Sequence, residues 1–146
     1  MMTVTVCALC RRIESLKTQD NPNLIHEFKN SYLFAGDHQT FEGYCVLVLK
    51  KHIEELFDLS DDLQREFHGE MLTASRAIQR AYHPEKMNLS NYGNFTPHQH
   101  WHIFPRYVND KAWPQPPWAV AKIFDQNHTT EAQARLIAEK LQPYLK

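Results

Sequence analysis

The chain is poor in the features that would mark a fibrous, disordered or membrane-embedded protein. Only 4 of its 146 residues are glycine and 8 are proline, which excludes a collagen-like or low-complexity sequence. Long hydrophobic runs are missing too, because charged residues interrupt the chain at short intervals, so no spanning helix is expected. Neither sign of charge dominates: 16 Lys and Arg face 17 Asp and Glu, a net charge of -1. Such a balance gives no general attraction to nucleic acid or to an anionic membrane, and a phosphate-bearing ligand would need a local site. Cysteine is limited to three residues, two of them in Cys7-Ala8-Leu9-Cys10. An odd number with that spacing fits a reducing compartment better than a disulfide framework, and it points to metal or redox chemistry. The first residues carry no cationic flank ahead of an apolar run and no small-residue cleavage pattern, so a cytoplasmic protein is expected.

What is present suffices for a core. Hydrophobic residues make up 42% of the chain and aromatic residues 12%, the make-up of one compact domain over residues 1–146 with no internal repeat. Residues 24–28 and 31–35 read as strands around a Lys29-Asn30 turn. Residues 44–49 form a continuous apolar run between Gly43 and Lys50-Lys51-His52, as a buried central strand would. A short helical turn at 53–59 leads to a longer helix. Ser60 can cap that helix, Asp61 and Asp62 suit its positive end, and Leu63, Phe67, Met71, Ala74, Ile78 and Ala81 recur at helical spacing. It should stop near His83, since Pro84 disfavours helical geometry in the residue before it. Strands are expected at 87–92 and 98–107, an irregular Trp/Pro-rich segment at 108–118, and an amphipathic helix at about 129–142. Strands joined by short turns pair antiparallel, so the fold class is α+β, a single antiparallel sheet with helices packed on it.

The densest chemistry lies in Pro97-His98-Gln99-His100-Trp101-His102-Ile103-Phe104-Pro105-Arg106. On a strand, His98, His100 and His102 share one face while Gln99, Trp101 and Ile103 take the other. Three imidazoles in a row are poor packing material, because each buried ring needs partners for two nitrogens. Two chemistries could use them. One is metal binding by a His-x-His pair; the other is nucleophilic catalysis by a neutral imidazole whose second nitrogen donates to a fixed acceptor.

The segment His98-Gln99-His100-Trp101-His102-Ile103-Phe104 resembles the signature of the histidine-triad (HIT) family, in which three histidines alternate with hydrophobic residues. Gly43-Tyr-Cys-Val-Leu-Val-Leu-Lys-Lys-His52 is similar to the family's glycine, apolar strand, basic pair and histidine, and Cys7-x-x-Cys10 resembles the opening of many bacterial members. Gln99 departs from the signature by being polar, and Leu49 stands where a proline usually precedes the basic pair. The resemblance implies that His100 attacks the α-phosphorus of a nucleotide. A covalent nucleotidyl-imidazole would form, which water hydrolyses to a nucleoside monophosphate. His102, His98, Asn94 and Arg106 would assist at the same site. Many relatives hold the ribose with an Asp where Gly36 stands here, so Asp37, one position on, and Gln39 are the candidates for that contact.

In zinc-containing relatives a Cys-x-x-Cys pair joins two histidines, and Cys7, Cys10, His52 and His98 match all four positions. Two thiolates and two imidazoles form a closed tetrahedral set, so the resemblance implies a structural zinc. Dinucleoside polyphosphates such as diadenosine tetraphosphate are the favoured substrates, and a homodimer is expected, as in relatives. Open alternatives are a nucleoside phosphoramidate hydrolase, a nucleotidyl transferase, a non-catalytic zinc-stabilised nucleotide-binding module, and a metalloenzyme using all three triad histidines. Cys45 reads as a small core residue, and the aromatic tail from Trp113 to Trp118 as packing ahead of base stacking.

Overall fold

The computed structural model describes residues 7–146. Residues 1–6, which include part of the stretch read for a leader, lie outside the described residues. No helix among the described residues is long and apolar enough to cross a membrane.

The first element has no counterpart among those expected from the sequence. Helix α1 (Ala8–Ser15) is opened by Cys7, whose Sγ accepts the Cys10 N–H at 3.4 Å. Strands β1 (Leu24–Glu27) and β2 (Ser31–Ala35) follow, joined where Phe28 N–H donates to Ser31 O at 2.8 Å, which puts Lys29 and Asn30 at the turn. Strand β3 (Cys45–Leu49) is wholly buried. The expected turn after it is a 3₁₀ turn at Leu56–Asp58.

Helix α2 (Asp61–Tyr82) starts as its sequence dictates: Ser60 Oγ accepts the Leu63 N–H, and Asp61 and Asp62 occupy the first turn. It ends at His83, which takes the left-handed conformation (φ 49°) just before Pro84. Strand β4 (Lys86–Ser90) and strand β5 (His100–Arg106) are shorter than the alternating stretches that predict them. At the start of β5 the cause is visible, since His98 N–H turns back to Thr96 O at 2.8 Å. A 3₁₀ stretch at Pro117–Asn127 extends beyond the Trp/Pro-rich segment. Helix α3 (Glu131–Leu141) is fixed by a reciprocal capping box between Thr130 and Gln133.

The five strands form one antiparallel sheet in the order β1-β2-β3-β5-β4, the α+β architecture expected from the sequence. Helices α2 and α3 cover one face, where Leu33, Cys45, Leu47, Leu49 and Ile103 meet Phe67, Met71, Ala74, Ile78, Ile137 and Leu141. Phe34, Val46, Val48 and Phe104 face the other way and pack with Leu9, Cys10 and Phe41. Because Val46 pairs with His102 and Val48 with His100, the period of two puts both imidazoles on this second face, away from α2. The long helix therefore holds the sheet, and α1 and the connecting segments complete the site.

Candidate active site

A cavity of about 500 Å³ opens on the α1 side of the sheet. Its floor is Tyr44, Val46, His100 and His102, and Ala8, Leu9 and Arg12 of α1 form one wall. Residues 92–96, among them Asn94 and the almost fully exposed Phe95, form another wall, with Trp118 and Asp37 at the margins. The size suits a small-molecule ligand, and the lining combines aromatic surface with a few polar groups.

His100 is held by its backbone neighbour. Its Nδ1 lies 2.6 Å from His98 O. A carbonyl only accepts, so Nδ1 carries the proton and Nε2 keeps a free lone pair. Burial lowers its pKa, opposed by the bond to His98 O, and the charge of Arg12 lowers it further. A neutral ring with an unprotonated Nε2 is the form a nucleophile requires.

His102 sits beside it in edge-to-face contact, ring centroids 4.8 Å apart. Its Nδ1 is 2.7 Å from Tyr44 Oη, and burial together with His100 and His38 pulls its pKa down to about 3. Tyr44 is itself clamped: its ring stacks on Phe104 with centroids 4.1 Å apart, and burial pushes its phenol well above the ordinary range. Trp118 closes the cluster, edge-on to His102 at 5.1 Å.

Gly36 makes room for that tyrosine. A Cβ at residue 36 would stand 2.2 Å from Tyr44 Cδ2, a distance no real contact allows. Gly36→Ala is therefore expected to cost about 2 to 3 kcal/mol, as overpacking does. A lowered urea midpoint with an unchanged slope checks this; wild-type stability would mean that Tyr44 can leave its place freely.

The third histidine has a different setting. His98 donates from Nε2 to Leu49 O at 2.7 Å, which leaves its Nδ1 lone pair facing Cys7 Sγ at 3.5 Å and Cys10 Sγ at 3.4 Å. His52 Nδ1 lies 3.3 Å from Cys10 Sγ and 3.2 Å from His98 Nδ1, with its Nε2 facing the Glu54 carboxylate at 3.5 Å. All four ligand atoms fall within 4.8 Å of one another. Ligand atoms on a tetrahedral zinc ion are about 3.3 to 3.8 Å apart, and the four ligand-atom separations just given, 3.2 to 3.5 Å, come close to that range, so this Cys2His2 set could hold a metal ion. The outward bond of His98 is the kind that orients a metal ligand. Burial raises the Cys10 thiol to about 11 with help from Cys7, a penalty that a divalent cation between the sulfurs would relieve.

Thus His100, His102, Asn94 and Asp37 meet at the cavity, while His98 joins Cys7, Cys10 and His52. The structure takes two candidates elsewhere. Arg106 is neither at the cavity nor solvated: it is 1% exposed and makes bidentate bonds to Asp110 at 2.8 and 3.0 Å, with Asn88 Oδ1 at 2.7 Å. Gln39 spends its amide on the loop, donating to His38 O and Tyr44 O and accepting the Gly43 N–H. Sequence reasoning missed Arg12 and Tyr44. Tyr44 could have been found by counting back in twos from Val48, but only once the pairing of β3 with β5 was known.

Comparison with known proteins shows the family. The HIT domain family model matches residues 17–109, and the chain belongs to that family, whose nucleotide-binding members include hydrolases and transferases. The protein named "Protein hit" of Bacillus subtilis (strain 168) is 27% identical over 107 residues, covering 69% of this chain and 71% of its own. A histidine triad (HIT) protein of Sinorhizobium meliloti 1021 superposes with a TM-score of 0.78 at 22% identity, covering 98% of this chain and 100% of its own. A Zn-bound histidine triad family protein of Mycobacterium smegmatis gives a TM-score of 0.66 at 20% identity, covering 97% of this chain and 96% of its own.

Proposed function

We propose that this protein is a nucleotide hydrolase that acts on nucleoside phosphate derivatives, dinucleoside polyphosphates foremost, through a covalent intermediate on His100. The observation that carries the reading is the bond from His100 Nδ1 to His98 O, because it leaves Nε2 unprotonated within the cavity. Nε2 attacks the α-phosphorus, a P–N bond forms, and the bond from phosphorus to the leaving-group oxygen breaks. Water then attacks the same phosphorus, the P–N electrons return to Nε2, the water proton passes to solvent, and a nucleoside monophosphate departs. The chief demand on the protein is to stabilise charge on the phosphoryl oxygens. His102 is suited to meet it. With the Tyr44 hydroxyl as donor to Nδ1, the ring N–H of His102 would stand on Nε2, where a phosphoryl oxygen can accept it. Asn94 is a further candidate donor to those oxygens, while Asp37, an anion, is the candidate for the ribose instead.

Cys7, Cys10, His52 and His98 would hold a structural zinc, supported by their spacing and by the Zn-bound relative. With four protein ligands such an ion would have no open position and would supply rigidity rather than Lewis acidity. A cytoplasmic location and a homodimer belong to the same proposal; three free cysteines support the first.

The test is intact-protein mass spectrometry after acid-free quench with diadenosine tetraphosphate or adenosine phosphoramidate, on wild type and His100→Ala. An adenylyl-sized mass increase that needs His100, with adenosine monophosphate released, is expected. Saturable binding with neither adduct nor product would leave a nucleotide-binding module in place of the hydrolase.

A further inference from the structure

Arg12 is the one Lys or Arg among the described residues that line the cavity. An arginine keeps its charge at any working pH, so the Arg12 guanidinium is the permanent positive charge available to a ligand there. Its anchoring is slight. Among the described residues its hydrogen bonding is a single 3.2 Å contact to Asp37 Oδ1, and the side chains are 29% and 67% exposed. An ion pair so open to water contributes little, and a phosphate offering two oxygens to a planar guanidinium competes well against one carboxylate oxygen.

Position says which part of a ligand Arg12 meets. The guanidinium lies over the Phe34 ring, 5.4 Å from its centroid. Phe34 pairs with Val46, and Val46 with His102, so Phe34 is two strands from the histidines on the same face of the sheet. Two strand spacings put the backbones of Phe34 and His102 about 10 Å apart, so Arg12 approaches a ligand from over β2 while His100 approaches it from β5. This placement lets the histidines and the arginine address different groups of one ligand.

We infer that Arg12, with Asp37 as its resting counter-ion, forms a subsite for a second phosphate on the nucleotide, remote from the phosphorus that reacts. The inference rests on the nucleotide reading above and narrows its substrate class to nucleotides with two separated phosphate groups. That second phosphate has two candidate sources, the far end of a 5′ polyphosphate chain or the 3′ position of the ribose. A ligand with a single 5′ phosphate leaves Arg12 paired with Asp37 and gains nothing from it.

Isothermal titration calorimetry of the full chain with adenosine 5′-monophosphate, adenosine triphosphate and adenosine 3′,5′-bisphosphate tests this, on wild type, Arg12→Gln and Arg12→Lys. Wild type is expected to bind one of the two longer ligands about 10- to 100-fold more tightly than the monophosphate, the span of a charge-assisted hydrogen bond. Arg12→Gln is expected to erase that gap while changing monophosphate affinity less than about threefold, and Arg12→Lys to keep part of it. The ligand that shows the gap identifies the source of the phosphate. Monophosphate binding with no gap in wild type, or equal weakening of all three ligands by Arg12→Gln, overturns the subsite and leaves the nucleotide reading standing. No binding of any of the three overturns both.

Discussion

Replacing His100 with asparagine is expected to lower turnover of diadenosine tetraphosphate by roughly 10,000-fold or more, since the covalent route disappears with the nucleophile. The asparagine amide nitrogen stands two bonds from Cβ, where Nδ1 of histidine stands, and can still donate to His98 O, the bond that histidine makes at 2.6 Å. The fold should therefore survive, with the thermal midpoint within a few degrees of wild type. Loss confined to kcat, with KM little changed, would place the effect in the transition state rather than in binding. Turnover within tenfold of wild type would remove His100 from the mechanism.

A comparably large effect, on stability instead of rate, is expected at the Cys2His2 cluster. Cys7 is fully buried and Cys10 is 9% exposed, and together with His98 and His52 they join α1 to the start of β5 and to the segment after β3. Cys10→Ser, or exhaustive chelation of the wild type, should lower the melting temperature on the order of 10 °C, because a metal bound only in the folded state stabilises that state directly. Elemental analysis for zinc beside differential scanning calorimetry checks both halves. Equal melting temperatures with and without chelator, in a protein carrying no metal, would return the four residues to ordinary packing.

Much of this was legible in the sequence because its signals were local. Ser60 and Pro84 bracket α2, the apolar run at 45–49 marks a strand buried on both faces, and the alternation of histidines places His100 and His102 on one side. The hidden features depend on register or on distant partners. Helix α1 is only eight residues long, too short for hydrophobic periodicity to declare it, and its cap is a cysteine. Arg106 ends a strand, where an arginine usually meets water. Its burial depends on Asp110 four residues on, with Phe41 and Trp113 against the guanidinium at 4.9 and 5.7 Å. Gly36 carried no local hint of its purpose, because the ring it accommodates belongs to Tyr44, across the loop that leads to β3.

The two-sided burial of the central strands bears on how such a protein can change over generations. Along β2, β3 and β5 and at Tyr44, even-numbered residues such as 34, 44, 46, 48, 100, 102 and 104 face the cavity side, and odd-numbered residues such as 33, 35, 45, 47, 49 and 103 face α2 and α3. Of the even set, Tyr44, Val46, His100 and His102 line the cavity, while Phe34, Val48 and Phe104 belong to the second core beneath α1; the odd set meets the helices on the other face. A substitution at one of the four lining positions therefore touches ligand chemistry and leaves the helical core intact. Drift in what the cavity accepts need not erode what keeps the sheet together, and the pleat itself makes this chain evolvable.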